Sequence, residues 1–498
     1  MPQRQPRLWT LWDVDWKYQK ESPMVAKIDR PVAHAQSKQI HPAVSEKLKD
    51  PAWAWSAYKP DTQRPWTLAQ AGHLYRRAAF GATWDQLQQA LSDGPKLTIY
   101  KLLLPQDFIK AFNRTYDEYE TSAAGSTDSL KAWWLRRMIL TPHPLLEKMT
   151  LFWHSHFAIN NAKVKNARLM QKNVHLLRSQ ALNSFQALLK GISRDPAMLI
   201  WLGAEANRKA RPNENFARTL METFTLGPGN FTEKDVQEAA RAFTGWFVLM
   251  SRLRYIPREH DDNIKQILGQ KGNFTGDDVI RIVLEQQATA KMLLRKLYRW
   301  LISETEELNA ELIAPLAKSF AKDYNIFKLV EKMLRSNLFF SPVAYRRRIK
   351  CPVEFALGII KGLEGVVSTT QLAKSLADIG QNLYHPPTVK GWIGGRHWIN
   401  SATMVGRHNL ALALLQGSGP YGNKLNPRAV ARKHGFSTTE STARFLLDLF
   451  LQGDLESGVR DTLPKIAKAS AGAGGGDLVE PVRRFTHAIV TLPEFQLA

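Results

Sequence analysis

Apolar residues recur at three- and four-residue spacing through nearly every segment after Trp66, whereas β-branched runs in strict alternation are scarce. That period buries one stripe of a helix and cannot bury one face of a strand. It therefore predicts a mainly α fold, a large multi-helix single body with long irregular loops and little or no β. At 498 residues, 44% of them hydrophobic and 23% charged, the chain can bury a sizeable core and does not have the composition of a disordered polymer.

Punctuation along the chain sets the organisation. Residues 1–65 mix Pro, Lys, Gln and Trp without a sustained period, and read as an N-terminal arm that is partly ordered at best. Residues 66–498 read as one helical domain, with a flexible Gly/Ala connector at 468–477. Within it the pattern predicts helices over Thr67–Arg77, Trp84–Leu91 (closed by Asp93-Gly94), Leu145–Phe157 and Leu169–Leu189. Asn213 is placed to cap the helix that follows it, and Thr232 with Asp235 resembles a capping box. Residues 254–276 read as a loop-rich insertion, and Pro315 is expected to kink or split a helix over 305–321. Tyr384–Trp398 is too interrupted by Pro and Gly to be helical.

Charge and cysteine content narrow the class. The formal net charge of +23 favours acidic partners, but the basic residues are dispersed and no basic-aromatic module accompanies them, which argues against nucleic acid as the main partner. An anionic or carbohydrate polymer fits better. Cys351 is the sole cysteine, so an internal disulfide or a multi-cysteine metal site is excluded. No run of about 18 apolar residues occurs, so no transmembrane segment is expected. The N-terminus lacks the apolar core of a secretory signal, which points to the cytoplasm.

Two clusters could carry chemistry. In Trp153-His154-Ser155-His156, His-x-His is a familiar metal-binding spacing, yet on a helix the two rings point about 200° apart. His156 falls on the apolar stripe and reads as a core histidine. His154 lies on the other face, a candidate acid/base residue, and with His156 a candidate ligand pair for a divalent metal if further ligands come from elsewhere. The second cluster, Pro212-Asn213-Glu214-Asn215-Phe216-Ala217-Arg218, puts Glu214, Arg218 and Glu222 on one helix face, while Glu238 and Arg241 occupy the next helix. A shared groove between them would suit acid/base work or cation binding, with Asn213 and Asn215 as binding residues; a solvated ion-pair ladder is the plainer alternative. His260-Asp261 offers a further binding pair. Lys390, Trp392, Arg396 and Trp398 form a cationic, aromatic loop fit to stack on sugar rings and reach acidic groups. Phosphate-loop, nucleophile-elbow, zinc-protease and dinucleotide signatures are absent from the sequence.

The motifs Glu147–Phe157, Pro212–Arg218, Ala240–Trp246, His260-Asp261 and Pro386–Trp392 together resemble the bacterial domain of unknown function 1800 family, from about His73 to Gln496. The resemblance implies no established activity. It implies export to the periplasm or beyond, against the missing signal, and a partner protein of a sulfatase- and phosphatase-like family encoded nearby. It leaves two expectations: an enzyme using acid/base or metal-assisted chemistry on a polar polymer, or a non-catalytic binding or assembly protein holding an acidic partner in a basic groove.

Overall fold

The computed structural model describes residues 47–105, 108–305, 309–453 and 479–498. The fold is mainly α, as the periodicity predicts: 62% of the described residues are helical, and among them there are only two small two-stranded sheets. Among the described residues no helix is long and apolar enough to cross a membrane. The predicted connector at 468–477 and most of the predicted arm lie outside the described residues. The arm's last part does pack onto the body: Trp55 is buried, and its indole N–H donates to the Leu312 carbonyl at 2.7 Å.

The first helices are α1 (Leu68–Ala78), α2 (Trp84–Leu103), α3 (Ile109–Ala123) and α4 (Thr127–Leu140), followed by α5 (Pro144–His156) and α6 (Ala167–Gln180). Within α2 the chain breaks at Gly94, as its sequence predicts, and at φ 71° it re-enters a helix through Pro95. That is the pairing expected where Gly tolerates the left-handed region and Pro presets the next turn. Helix α5 packs against α1, α2, α4 and α6. Of its thirteen residues only Leu146 and Ser155 are not fully buried. Here the sequence reading needs correction: a stripe was expected, and the helix is instead buried all round, charged residues included.

Next come α7 (Phe185–Ser193), α8 (Pro196–Leu202), α9 (Glu214–Thr219) and α10 (Glu233–Ala242). The helix expected over 169–189 is thus two, because the chain turns at 181–184, where the Ser184 hydroxyl accepts the Ala187 amide and caps α7. Asn213 caps α9 by accepting the Phe216 amide at 2.8 Å, and Thr232 and Asp235 form the reciprocal box on α10, both as predicted.

The segment expected to be a loop-rich insertion, 254–276, holds one β hairpin and the end of another that begins before it. Hairpin β1 (Trp246–Leu249) with β2 (Arg252–Tyr255), and hairpin β3 (Lys265–Ile267) with β4 (Gln270–Gly272), are both antiparallel. Helices α11 (Gly276–Glu285), α12 (Gln287–Leu301), α13 (Ala310–Phe320), α14 (Ile326–Arg335) and α15 (Pro352–Gly362) follow. Helix α13 runs through Pro315 without splitting. Pro315 and Glu311, whose carbonyl loses its donor, are both exposed, so water can satisfy that oxygen.

Candidate functional site

The adjacent residues Glu147 and Lys148 of α5 are both buried, and each anchors a separate ion network. Glu147 Oε1 accepts from Arg137 Nε of α4 at 2.7 Å and from Arg178 Nε of α6 at 2.8 Å. Its Oε2 accepts the Trp134 indole N–H at 2.8 Å. Burial alone would push this carboxyl up, but Arg178 and Arg137 outweigh it and hold it at about 2. Lys148 serves a different set of partners. Its ammonium donates to the carbonyls of Ala79 (2.9 Å) and Arg76 (3.2 Å) and to Glu354. Glu354 also takes both terminal nitrogens of Arg348, at 2.6 to 2.8 Å, and the Cys351 amide. Burial raises Glu354, yet Arg348 and Lys148 bring it to about 2, while burial draws Lys148 down to about 8. The same burial pushes the Cys351 thiol up to about 12, which keeps it inert.

The two histidines of α5 face opposite sides, as helical geometry requires, and neither opens to solvent. His154 Nε2 accepts the Tyr384 amide at 3.1 Å, so in the neutral ring the proton sits on Nδ1, which has no partner among the described residues. Its ring lies among Trp134, Tyr384 and Trp392, and burial lowers it to about 3. His154, a candidate acid/base residue from its sequence, is enclosed and does not reach solvent. His156 lies in the core as expected. It donates from Nε2 to the Phe224 carbonyl at 3.2 Å and accepts from Lys296 at Nδ1, 3.0 Å away.

Those contacts explain a local irregularity. Helix α9 continues into a π-helical turn, Leu220–Thr225, in which the Leu226 amide reaches back to the Met221 carbonyl at 2.8 Å. Pro228 has no N–H to give the Phe224 carbonyl, and the helix ends there. His156 caps that carbonyl, and Lys296 caps the carbonyl of Thr223 at 2.9 Å. Burial, and next Lys390, lower Lys296 to about 8.

The predicted acid/base residues fall into separate ion pairs. Arg218 is held by Glu233 through two bonds of 2.6 Å, with Glu214 at 3.7 Å. Glu222 pairs with Lys390 at 3.3 Å. Arg241 sits between Glu238 (2.9 Å) and Asp261 (2.7 Å), and the Arg241 guanidinium brings Asp261 down to about 2. Helices α9 and α10 do pack together. Arg218–Glu233 bridges them, and among the described residues no ion pair or hydrogen bond joins Glu214, Arg218 or Glu222 to Glu238 or Arg241. Asn213 and Asn215 are used for structure: their amides donate to the carbonyls of Gly203 (2.7 Å) and Leu202 (2.9 Å), tying α9 to the end of α8. His260 Nδ1 lies 2.8 Å from the Thr244 carbonyl, and the Asp261 amide donates to the Thr244 hydroxyl, which fastens the segment entering β3 to the end of α10.

The loop over 384–398 lies against α5. A Cβ at Gly391, φ 72°, would come within 2.1 Å of the Ser155 carbonyl oxygen, so only glycine allows this approach. The Trp392 amide donates to the Ser155 hydroxyl at 3.4 Å and its ring is half-buried. Trp398 is 8% exposed and offers no open stacking face, whereas Arg396 and Lys390 reach solvent.

Two further groupings were not anticipated. An open pocket of about 520 Å³ is lined by Leu226 and Asn230, by Gln286, Gln287 and Ala288 at the start of α12, and by Lys291 and Arg295 one and two turns on. Lys291 and Arg295 have no ion-pair partner among the described residues, and no carboxylate lines the pocket. Their i, i+4 spacing is visible in the sequence, but the wall supplied by Leu226 and Asn230 is not. Separately, Asp85, Glu364 and His434 place ligand atoms within 4.8 Å of one another, and the Lys433 ammonium already bonds Glu364 there.

Against known proteins, the family model described as "Protein of unknown function (DUF1800)" matches residues 73–497. No curated protein and no solved structure matches the chain.

Proposed function

We propose, from the premise that the chain belongs to the DUF1800 family, that it is a binding protein holding an anionic polymer through the cationic pocket at the start of α12. One contrast carries this reading. Glu214, Glu222 and Glu238, the carboxylates expected to do acid/base work, are all placed against cations, whereas Lys291 and Arg295 face an open pocket that no carboxylate lines. A carboxylate that serves as an acid or base must reach the reacting proton of a substrate, and one engaged by a cation is occupied instead. A cation left unpaired in a concave site attracts an anionic group and raises its local concentration. The pocket also includes the start of α12, where Gln286 makes no side-chain cap. The ligand class that fits is a chain bearing phosphate, sulfate or carboxylate groups at intervals.

Fluorescence-polarisation titration with labelled dextran sulfate and with polygalacturonate tests the reading. The expected result is salt-sensitive binding that falls about tenfold or more in the Lys291→Glu/Arg295→Glu variant. Equal affinity for the variant and the unaltered protein would overturn it.

A further inference from the structure

Hairpin β1–β2 projects an apolar tip from a basic base. It turns on Met250 and Ser251, both at positive φ (50° and 60°), in a two-residue turn that ordinarily selects Asn, Asp or Gly. Met250 is 98% exposed and Leu249 beside it 48%. Leu249 stands opposite Arg252 and Phe247 opposite Arg254, so these four share one face of the ribbon. The Arg208 guanidinium covers Phe247 from 5.2 Å. Arg208 pairs with Glu259, but the exposed cations Lys209, Arg211, Arg252 and Arg254 have no ion-pair partner among the described residues.

We infer that this hairpin docks the protein on an anionic lipid surface. Met250 and Leu249 enter the boundary between headgroups and acyl chains, and the surrounding guanidinium and ammonium groups meet the lipid phosphates. The arrangement fits the two-part logic of peripheral membrane binding, in which one small apolar insertion is too weak alone and adjacent cations supply the remainder. An anionic polymer in water would satisfy the cations and leave the apolar tip exposed. A nucleic acid would do the same, since neither Met250 nor Leu249 offers a ring for base stacking. The site is separate from the α12 pocket and does not depend on the function proposed for it.

Cosedimentation of the full chain with phosphatidylcholine vesicles, with and without phosphatidylglycerol, tests the inference. The protein is expected to sediment with the anionic vesicles alone. Met250→Asp is expected to reduce that binding about tenfold or more. Asp suits a positive-φ turn position, so this variant keeps the fold, which its unchanged thermal unfolding would verify. Arg252→Glu/Arg254→Glu is expected to give a similar loss. Failure to sediment with anionic vesicles would overturn the inference. Undiminished binding by Met250→Asp would also overturn it, by showing only the general attraction of a basic chain. Equal capture of the protein by homopolymeric RNA, insensitive to Met250→Asp, would assign the surface to nucleic acid instead.

Discussion

The charges around Glu147 and those around Arg218 are alike in kind and opposite in setting. Glu147 and Arg178 are nearly sealed from solvent, whereas Arg218 is 35% exposed and its partner Glu233 69%. In the interior, removing one partner strands the other in a medium that cannot solvate it. At the surface water takes the vacated place, and an ion pair contributes little. Bond length does not separate the two, since the exposed pair is the shorter. Burial separates them. The two sets of charges therefore have unequal roles: Glu147 and Lys148 sustain the fold, whereas the ion pairs of Glu214 and Arg218 decorate its surface.

Three measurements would sharpen or break that contrast. The largest effect should come from acid, because it removes both buried carboxylates together. Glu147 and Glu354 lie at about 2 against an ordinary value of 4.5. A depressed carboxyl contributes stability in full above its unfolded value and loses it as pH falls through the folded one. Urea unfolding should thus weaken steeply from pH 4.5 toward 2, and a flat profile there would break the comparison. Next in size is Glu354→Ala, which leaves Lys148 and Arg348 buried without a counter-charge; a loss of about 3–5 kcal/mol is expected in chemical denaturation. The smallest effect belongs to Arg218→Ala, at under about 1 kcal/mol by the same assay. A loss at Arg218 matching that at Glu354 would show that exposure is not what separates the two regions.

What the sequence made legible follows the range of the interactions involved. The helix over Leu145–Phe157, the Asn213 cap, the Thr232–Asp235 box and the Gly94 break depend on neighbours a few residues away, and all are present. The same local logic separated His154 from His156. The partners of Lys148 and of the π-turn were hidden because they come from far along the chain, Glu354 from 206 residues beyond Lys148 and Lys296 from 140 beyond His156. The Tyr384 amide that occupies His154 comes from 230 residues beyond it, so the sequence alone left His154 as a candidate acid/base residue. The two hairpins escaped for another reason. Their strands are three or four residues long, too short for alternation to stand out from a helical background.

Consecutive placement of Glu147 and Lys148 carries a consequence of its own. Neighbours on a helix project about 100° apart, so α5 works like a key cut on two edges, each fitting a different lock. Turning the helix by one residue would withdraw both charges from their counter-ions together, and no intermediate rotation satisfies either. The pair thus selects one rotational setting of the central helix from the many that an all-apolar cylinder would tolerate. A core of ordinary greasy side chains gains a single address.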